Sequence, residues 1–131
     1  MKRILILISG LLLLAACKTA PVLNVNNEPV SKVSGQSNLT LEQVEKVIVG
    51  AAIKRGLKPR IVNPGLVEAR LDLRQHTAII NIAFTPSAYS INYVDSQNLH
   101  YDNGKIHRNY NNWINGLSRD IQVGLWEESR R

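Results

Sequence analysis

Side chains able to do chemistry are sparse in this chain, and one short stretch holds most of them. Ile106-His107-Arg108-Asn109-Tyr110-Asn111-Asn112-Trp113-Ile114-Asn115 gathers an imidazole, a guanidinium, two aromatic rings and four side-chain amides. At a helix N-terminus such a cluster can bind an anion or a sugar. Backbone N–H groups point outward there, Arg108 adds charge, and Tyr110 or Trp113 offers a stacking face. His107, Arg108, Tyr110, Asn111 and Trp113 are therefore the candidate ligand-binding residues. The competing reading has Tyr110 and Ile114 in the core and the polar members in solvent, and helical stripes are core far more often than sites.

The remaining candidates are weaker. His76, His100 and His107 have no i, i+4 spacing, and no cysteine or acidic cluster joins them, so no metal site is expected. Hydrolysis needs a nucleophile, a base and an orienting acid brought together. Ser87, His107 and Asp95 qualify by type, but nothing local assembles them. Phosphate-binding glycine loops are absent from the sequence. The expectation is a non-enzymatic domain with no cofactor and no catalytic residues.

The only thiol, Cys17, has a different setting. Lys2 and Arg3 open the chain, an apolar run from Ile4 to Leu14 follows, and small residues precede the cysteine. A positive start, a short apolar core and small residues before a cut site are the parts of a secretory signal. The run is about half the roughly 20 apolar residues of a membrane-spanning helix. Leu14-Ala15-Ala16-Cys17 resembles the lipobox of bacterial lipoproteins at all four positions. That resemblance implies that a diacylglycerol alkylates the Cys17 thiol and that a signal peptidase then cuts between Ala16 and Cys17. Two or three acyl chains on one residue would hold stably, at about 0.8 kcal/mol per buried CH₂. With its one thiol lipidated, the chain has no internal disulfide, and stability must come from packing.

Loss of residues 1–16 removes Lys2 and Arg3 and lowers the net charge from +6 to +4. That mild excess is ordinary solubility charge or a match to anionic envelope components. Nucleic acid is not an expected partner for an exported chain. Lys18 follows the cysteine where aspartate would signal inner-membrane retention in the enterobacterial version of the lipoprotein sorting rule. The expected location is therefore the outer membrane, facing the periplasm of a Gram-negative bacterium. From Lys18 to Asn38 the composition turns to Pro, Gly, Asn and Ser with aperiodic Val. This reads as a flexible tether over 17–38, about 25 Å from end to end.

The folded domain is expected over 39–127, with 128–131 as a C-terminal tail. Thr40 and Gln43 form a capping box, Leu39 and Val44 occupy the staple positions, and Gly56 suits the closing turn. These signals predict a helix over 41–55. A short strand over 60–62, a sheet edge, ends at the turn Asn63-Pro64-Gly65. Strict alternation then runs through Val67, Ala69, Leu71 and Leu73, through Ala78, Ile80, Ile82 and Phe84, and through Tyr89, Ile91 and Tyr93. Opposed residues of an antiparallel pair keep a constant index sum. Leu71 is thereby set opposite Ala78, Ala69 opposite Ile80, and Phe84 opposite Tyr89, all on one buried face. Leu99-His100-Tyr101 reads as a brief extra strand. A second helix is expected over 107–127, with Tyr110, Ile114, Leu117, Ile121 and Leu125 as its apolar stripe. The fold class is α+β: an antiparallel meander of three to four strands in the order α-β-β-β-β-α, with both helices on one face.

The 106–115 stretch, together with Tyr93-Val94-Asp95-Ser96 and Asn98-Leu99-His100-Tyr101, resembles small lipoproteins of proteobacteria. Those end in a similar Ile-His-x-x-Tyr-Asn-x-Trp-Ile/Val-x-x-Leu segment. The resemblance brings no activity with it and carries over no functional residues. Taken together, the expectation is a lipid-anchored envelope lipoprotein whose domain binds another envelope protein or peptidoglycan. The alternative is a small glycan-binding or hydrolytic domain using the His107 to Trp113 segment.

Overall fold

A computed structural model describes residues 18–131. The leader and Cys17 lie outside the described residues. The elements follow the order β1 (Thr19–Pro21), β2 (Val25–Pro29), α1 (Leu41–Lys54), β3 (Lys58–Asn63), β4 (Leu66–Leu73), β5 (His76–Phe84), β6 (Ala88–Gln97), β7 (Lys105–His107) and α2 (Arg108–Ser129). The fold is α+β. Five strands form an antiparallel sheet in the order β2-β6-β5-β4-β3, and β1 pairs with β7 in a separate two-stranded sheet.

Local chemistry explains the helix ends. The Thr40 hydroxyl accepts from the Gln43 N–H at 3.1 Å, and the Thr40 N–H donates to the Gln43 side-chain carbonyl at 2.8 Å. This reciprocal pair satisfies two donors that the first turn leaves open. Leu39 and Val44 are both buried beside it. Gly56 follows the helix at a φ of 83°, a conformation that closes it without Cβ strain.

Pairing across the sheet follows from the alternation. Leu71 lies opposite Ala78, Ala69 opposite Ile80, and Phe84 opposite Tyr89. Those inward residues meet Val44, Ile48 and Ala52 from α1 and Tyr110, Ile114, Leu117, Ile121 and Leu125 from α2 in one core. Each fully buried Val, Leu or Ile among them stabilises the fold by about 1.5–3 kcal/mol relative to exposure. The opposite sheet face is polar and ion-paired, with Arg60 beside Glu68 and Arg70 beside Asp72. Asp72 also accepts from the Thr77 hydroxyl. Helices on one face and solvent on the other is the arrangement the alternation requires.

Two close approaches set the helix pair. A Cβ on Gly124 would come within 2.8 Å of Val47, and one on Gly116 would collide with the Arg55 guanidinium. Arg55 crosses Gly116 and its Nε donates to Asp120 at 2.7 Å.

Several expectations are corrected. The segment 17–38 is no free tether from Thr19 onward, because β1 and β2 are built into the fold. Val25 pairs with Ile91, Asn24 accepts from the Tyr93 N–H, and Val22, Leu23, Val25 and Val30 pack against the core. Burial of these apolar side chains outweighs the Pro- and Asn-rich composition, and Pro29 is tolerated because β2 is an edge strand. The strand expected at Leu99-His100-Tyr101 is a loop. Leu99 is buried, His100 takes a positive φ, and the strand is instead Lys105–His107, which β1 supplies with a partner. The main sheet accordingly has five strands rather than three or four, and the order gains two strands before α1. β6 continues to Gln97 through a bulge at Val94, since Ile79 pairs with Asp95 while Ile80 pairs with Tyr93. The tail is also shorter than expected. α2 runs to Ser129, whose buried hydroxyl accepts from the Val33 N–H at 2.8 Å and donates to the Trp126 carbonyl.

β3 is an edge strand, as expected for the strand at 60–62, and it runs longer, over Lys58–Asn63. Its Ile61 and Val62 are exposed, while Lys58, Pro59 and Arg60 occupy the other half.

Candidate functional site

The fold divides the five candidate residues of the 107–113 stretch among different tasks. His107 caps α2: its Nδ1 accepts from the Asn109 N–H at 3.1 Å, which places the ring proton on Nε2. Arg108 is exposed at the start of the helix. Tyr110 is only 1 % exposed and packs edge-on to Tyr93, which in turn stacks on Tyr101 at 4.3 Å. Burial, reinforced by Tyr93, pushes the Tyr110 phenol well above its ordinary value, and its hydroxyl has no hydrogen-bond partner.

Asn111 is a clamp. Its Oδ1 accepts from the Leu23 N–H and its Nδ2 donates to the Pro21 carbonyl, both at 2.9 Å. Those bonds fasten the first strand to the second helix, so both polar atoms are already engaged in holding the fold. Trp113 alone among the five stands at a sizeable opening.

That opening is a crevice of about 260 Å³ lined by Arg55, Gly56, Leu57, Leu71, Leu73 and Trp113, with Asp72 beside them. It lies where the end of α1 turns into β3, over the last residues of β4. Behind it, Leu57, Leu71 and Trp113 also line a small apolar void of about 20 Å³ whose wall includes Tyr110. Sequence reasoning missed all of these except Trp113. The available signal was Leu73, an inward position at the last residue of β4, where neither helix covers it and it remains 45 % exposed.

The electrostatics of this mouth are quiet. The Asp120 carboxylate is held below its usual range by its hydrogen bond from Arg55, and Asp72 is held low by Arg70 and then Thr77. Both charges at the rim are therefore already partnered. An apolar floor with paired charges at the edge suits an aliphatic or aromatic group. No nucleophile and base meet there.

A second, larger groove of about 350 Å³ runs between the helices, where Gly50 and Gly124 remove side chains. Its walls mix Lys46, Lys54 and Arg119 with Asp120, Glu127 and Glu128, so it selects no one sign of charge.

The hydrolytic trio does not assemble. Ser87 sits in the β5–β6 turn beside Thr85, and Asp95 accepts from the Ser96 N–H eight residues along β6. That spacing on an extended strand is about 26 Å. The His100 and His107 rings lie 6.3 Å apart between centroids. Among the described residues, no group of three or more His, Cys, Asp or Glu side chains is placed to hold a metal ion.

Fold and site together define a small α+β domain: a five-stranded sheet backed by two antiparallel helices, a separate two-stranded sheet, and an apolar crevice at one end. No family model, curated protein or solved structure matches the chain.

Proposed function

We propose that this chain is an envelope lipoprotein whose domain is a non-enzymatic binding module, held at the membrane by lipid on Cys17. The observation that carries the reading is Leu14-Ala15-Ala16-Cys17 directly after a short apolar run with a basic start. Lys18 in place of aspartate favours the outer membrane, facing the periplasm. Among the described residues no helix is long and apolar enough to cross a membrane. The mechanism is confinement: an anchored domain meets envelope partners at a raised effective concentration.

Cys17→Ser tests it. The substituted precursor should stay uncleaved and take up no labelled fatty acid. Labelling that persists in the mutant removes the proposal.

The alternative, a cell-wall glycan-binding or hydrolytic domain, keeps one supporting observation, the position of Trp113 at the crevice. Against it, Tyr110 is buried and the Asn111 amide is held by the backbone at Pro21 and Leu23. A glycan-binding screen of the mature protein beside Trp113→Ala separates the two, and binding lost on substitution would favour the alternative.

A further inference from the structure

The topology brings the anchored end of the chain to one end of the domain. β1 starts at Thr19, two residues after Cys17, and Thr19 pairs with His107. The His107 N–H donates to the Leu99 carbonyl at 2.8 Å. One residue before Leu99, the Asn98 carbonyl meets His76 Nδ1 at 2.7 Å, and the Asn98 side chain donates to the Gln75 carbonyl. A continuous chain of contacts thus links Thr19 to the start of α2 and to the β4–β5 turn at Arg74. The same end receives the C-terminus of α1 and the first residue of β3, since Lys58 pairs with Arg70.

This end is basic and partly apolar. Lys18, Lys54, Lys58, Arg74 and Arg108 are all exposed, and none is in an ion pair among the described residues. The acidic groups nearby are Asp72 and Asp120, both paired with arginines, and Asp95 and Asp102, which are not. The opposite end carries Glu42 and Glu45 at the start of α1 and Glu127 and Glu128 at the end of α2, beside Lys32, Arg130 and Arg131. Leu73 and Trp113 open the apolar crevice toward the basic end. Two residues of chain reach at most about 7 Å. An anchor that short leaves the domain no room to turn this end away from the bilayer.

We infer that the end bearing Lys18, Arg74 and Arg108 is a docking surface for the anionic phospholipid headgroups of the membrane that holds Cys17. The inference rests on the lipoprotein reading. Basic side chains close to an anionic leaflet each favour the bound orientation by roughly fivefold, and partly exposed Leu73 and Trp113 suit the interface. The lipid supplies attachment, and these side chains supply orientation.

The test uses the mature, lipidated protein in vesicles of phosphatidylglycerol or of phosphatidylcholine alone, read by amide hydrogen exchange. Intact mass is recorded on the same sample. Docking predicts that amides at Lys18, Gln75, His76 and Arg108 exchange at least about fivefold more slowly on the anionic vesicles. Amides of the β5–β6 turn at the opposite end should be unchanged. The exposed double substitution R74E/R108E should abolish the difference while the lipid mass remains, and so should 1 M salt, which shortens screening to about 3 Å. Equal exchange on both vesicles with the lipid present overturns the docking surface and leaves the anchor standing. A product without lipid mass overturns the anchor and this orientation with it.

Discussion

The Asn111 side-chain carbonyl accepts the Leu23 N–H at 2.9 Å, joining positions 88 residues apart. Through this contact and its partner at Pro21, a helix side chain stands in for a neighbouring strand. Asn111→Ala should lower stability by about 1–3 kcal/mol, because two backbone groups lose their partners. In chemical denaturation the midpoint should fall, and amides of residues 19–23 should exchange faster than those of β5. An unchanged midpoint would show that pairing with β7 and the packing of Val22 and Leu23 hold β1 without the clamp.

One substitution at two tyrosines should give opposite signs. The Tyr89 hydroxyl lies 2.7 Å from the Ser118 hydroxyl in the core, whereas the buried Tyr110 hydroxyl has no partner. Tyr89→Phe should therefore destabilise by about 1 kcal/mol and leave Ser118 without its partner. Tyr110→Phe should stabilise by about 1 kcal/mol, since it removes a desolvated group that gains nothing in return. Thermal denaturation of the two variants decides it.

Alkaline pH should unfold the domain by way of its phenols. Burial pushes Tyr89, Tyr93 and Tyr110 above the ordinary tyrosine value. The unfolded chain therefore ionises first, near pH 10. Stability from these groups is complete below that pH and is lost as pH rises from there through the higher folded values. Phenolate absorbance should rise together with loss of helical circular dichroism. Ionisation of the Tyr110 phenol in a chain that stays folded would contradict the assignment.

The helix glycines should respond unequally to alanine. A Cβ on Gly50 meets nothing within 4 Å, so Gly50→Ala should stabilise by about 0.5–1 kcal/mol through helix propensity. At Gly124 the same methyl would press on Val47, so Gly124→Ala should show no gain or a net loss. Equal gains at both sites would mean that the helices do not approach through Gly124.

At low pH the Arg55–Asp120 contact supplies a dependence of the other sign. Asp120 titrates below its ordinary value because Arg55 donates to it. Its contribution is present above about pH 4 and fades as pH falls through the lower folded value. Asp120→Asn should flatten the acid limb of a stability profile, and Gly116→Ala, which displaces the Arg55 guanidinium, should flatten it similarly.

What the chain discloses before folding depends on the distance over which each feature is decided. The capping box at Thr40, the closing Gly56 and the pairings of Leu71 with Ala78 and Phe84 with Tyr89 are set by near neighbours. All are present as the residues imply. β1 and β2 are illegible because three or five residues carry no period, and their partners lie 59 to 88 positions away. Leu99 looks like a strand residue but is buried from a loop, while Ile106 carries the strand. The crevice depends on how far two helices diverge from a sheet end, which no local pattern encodes. In the 107–113 stretch, Tyr110 is core, as the plainer reading held, whereas the clamp role of Asn111 required knowing where residues 21–23 lie.

The edge strand β3 bears on how copies coexist. Under the proposed lipid anchor, copies on one leaflet would collide in two dimensions, where a bare strand invites its like to zip alongside. Two copies meeting through this border would press Lys58 and Arg60 against their counterparts or near them, and Pro59 brings no N–H to bridge the seam. Crowding on the leaflet would then find the border closed to fibril-like growth, with Ile61 and Val62 left too short a run to start it.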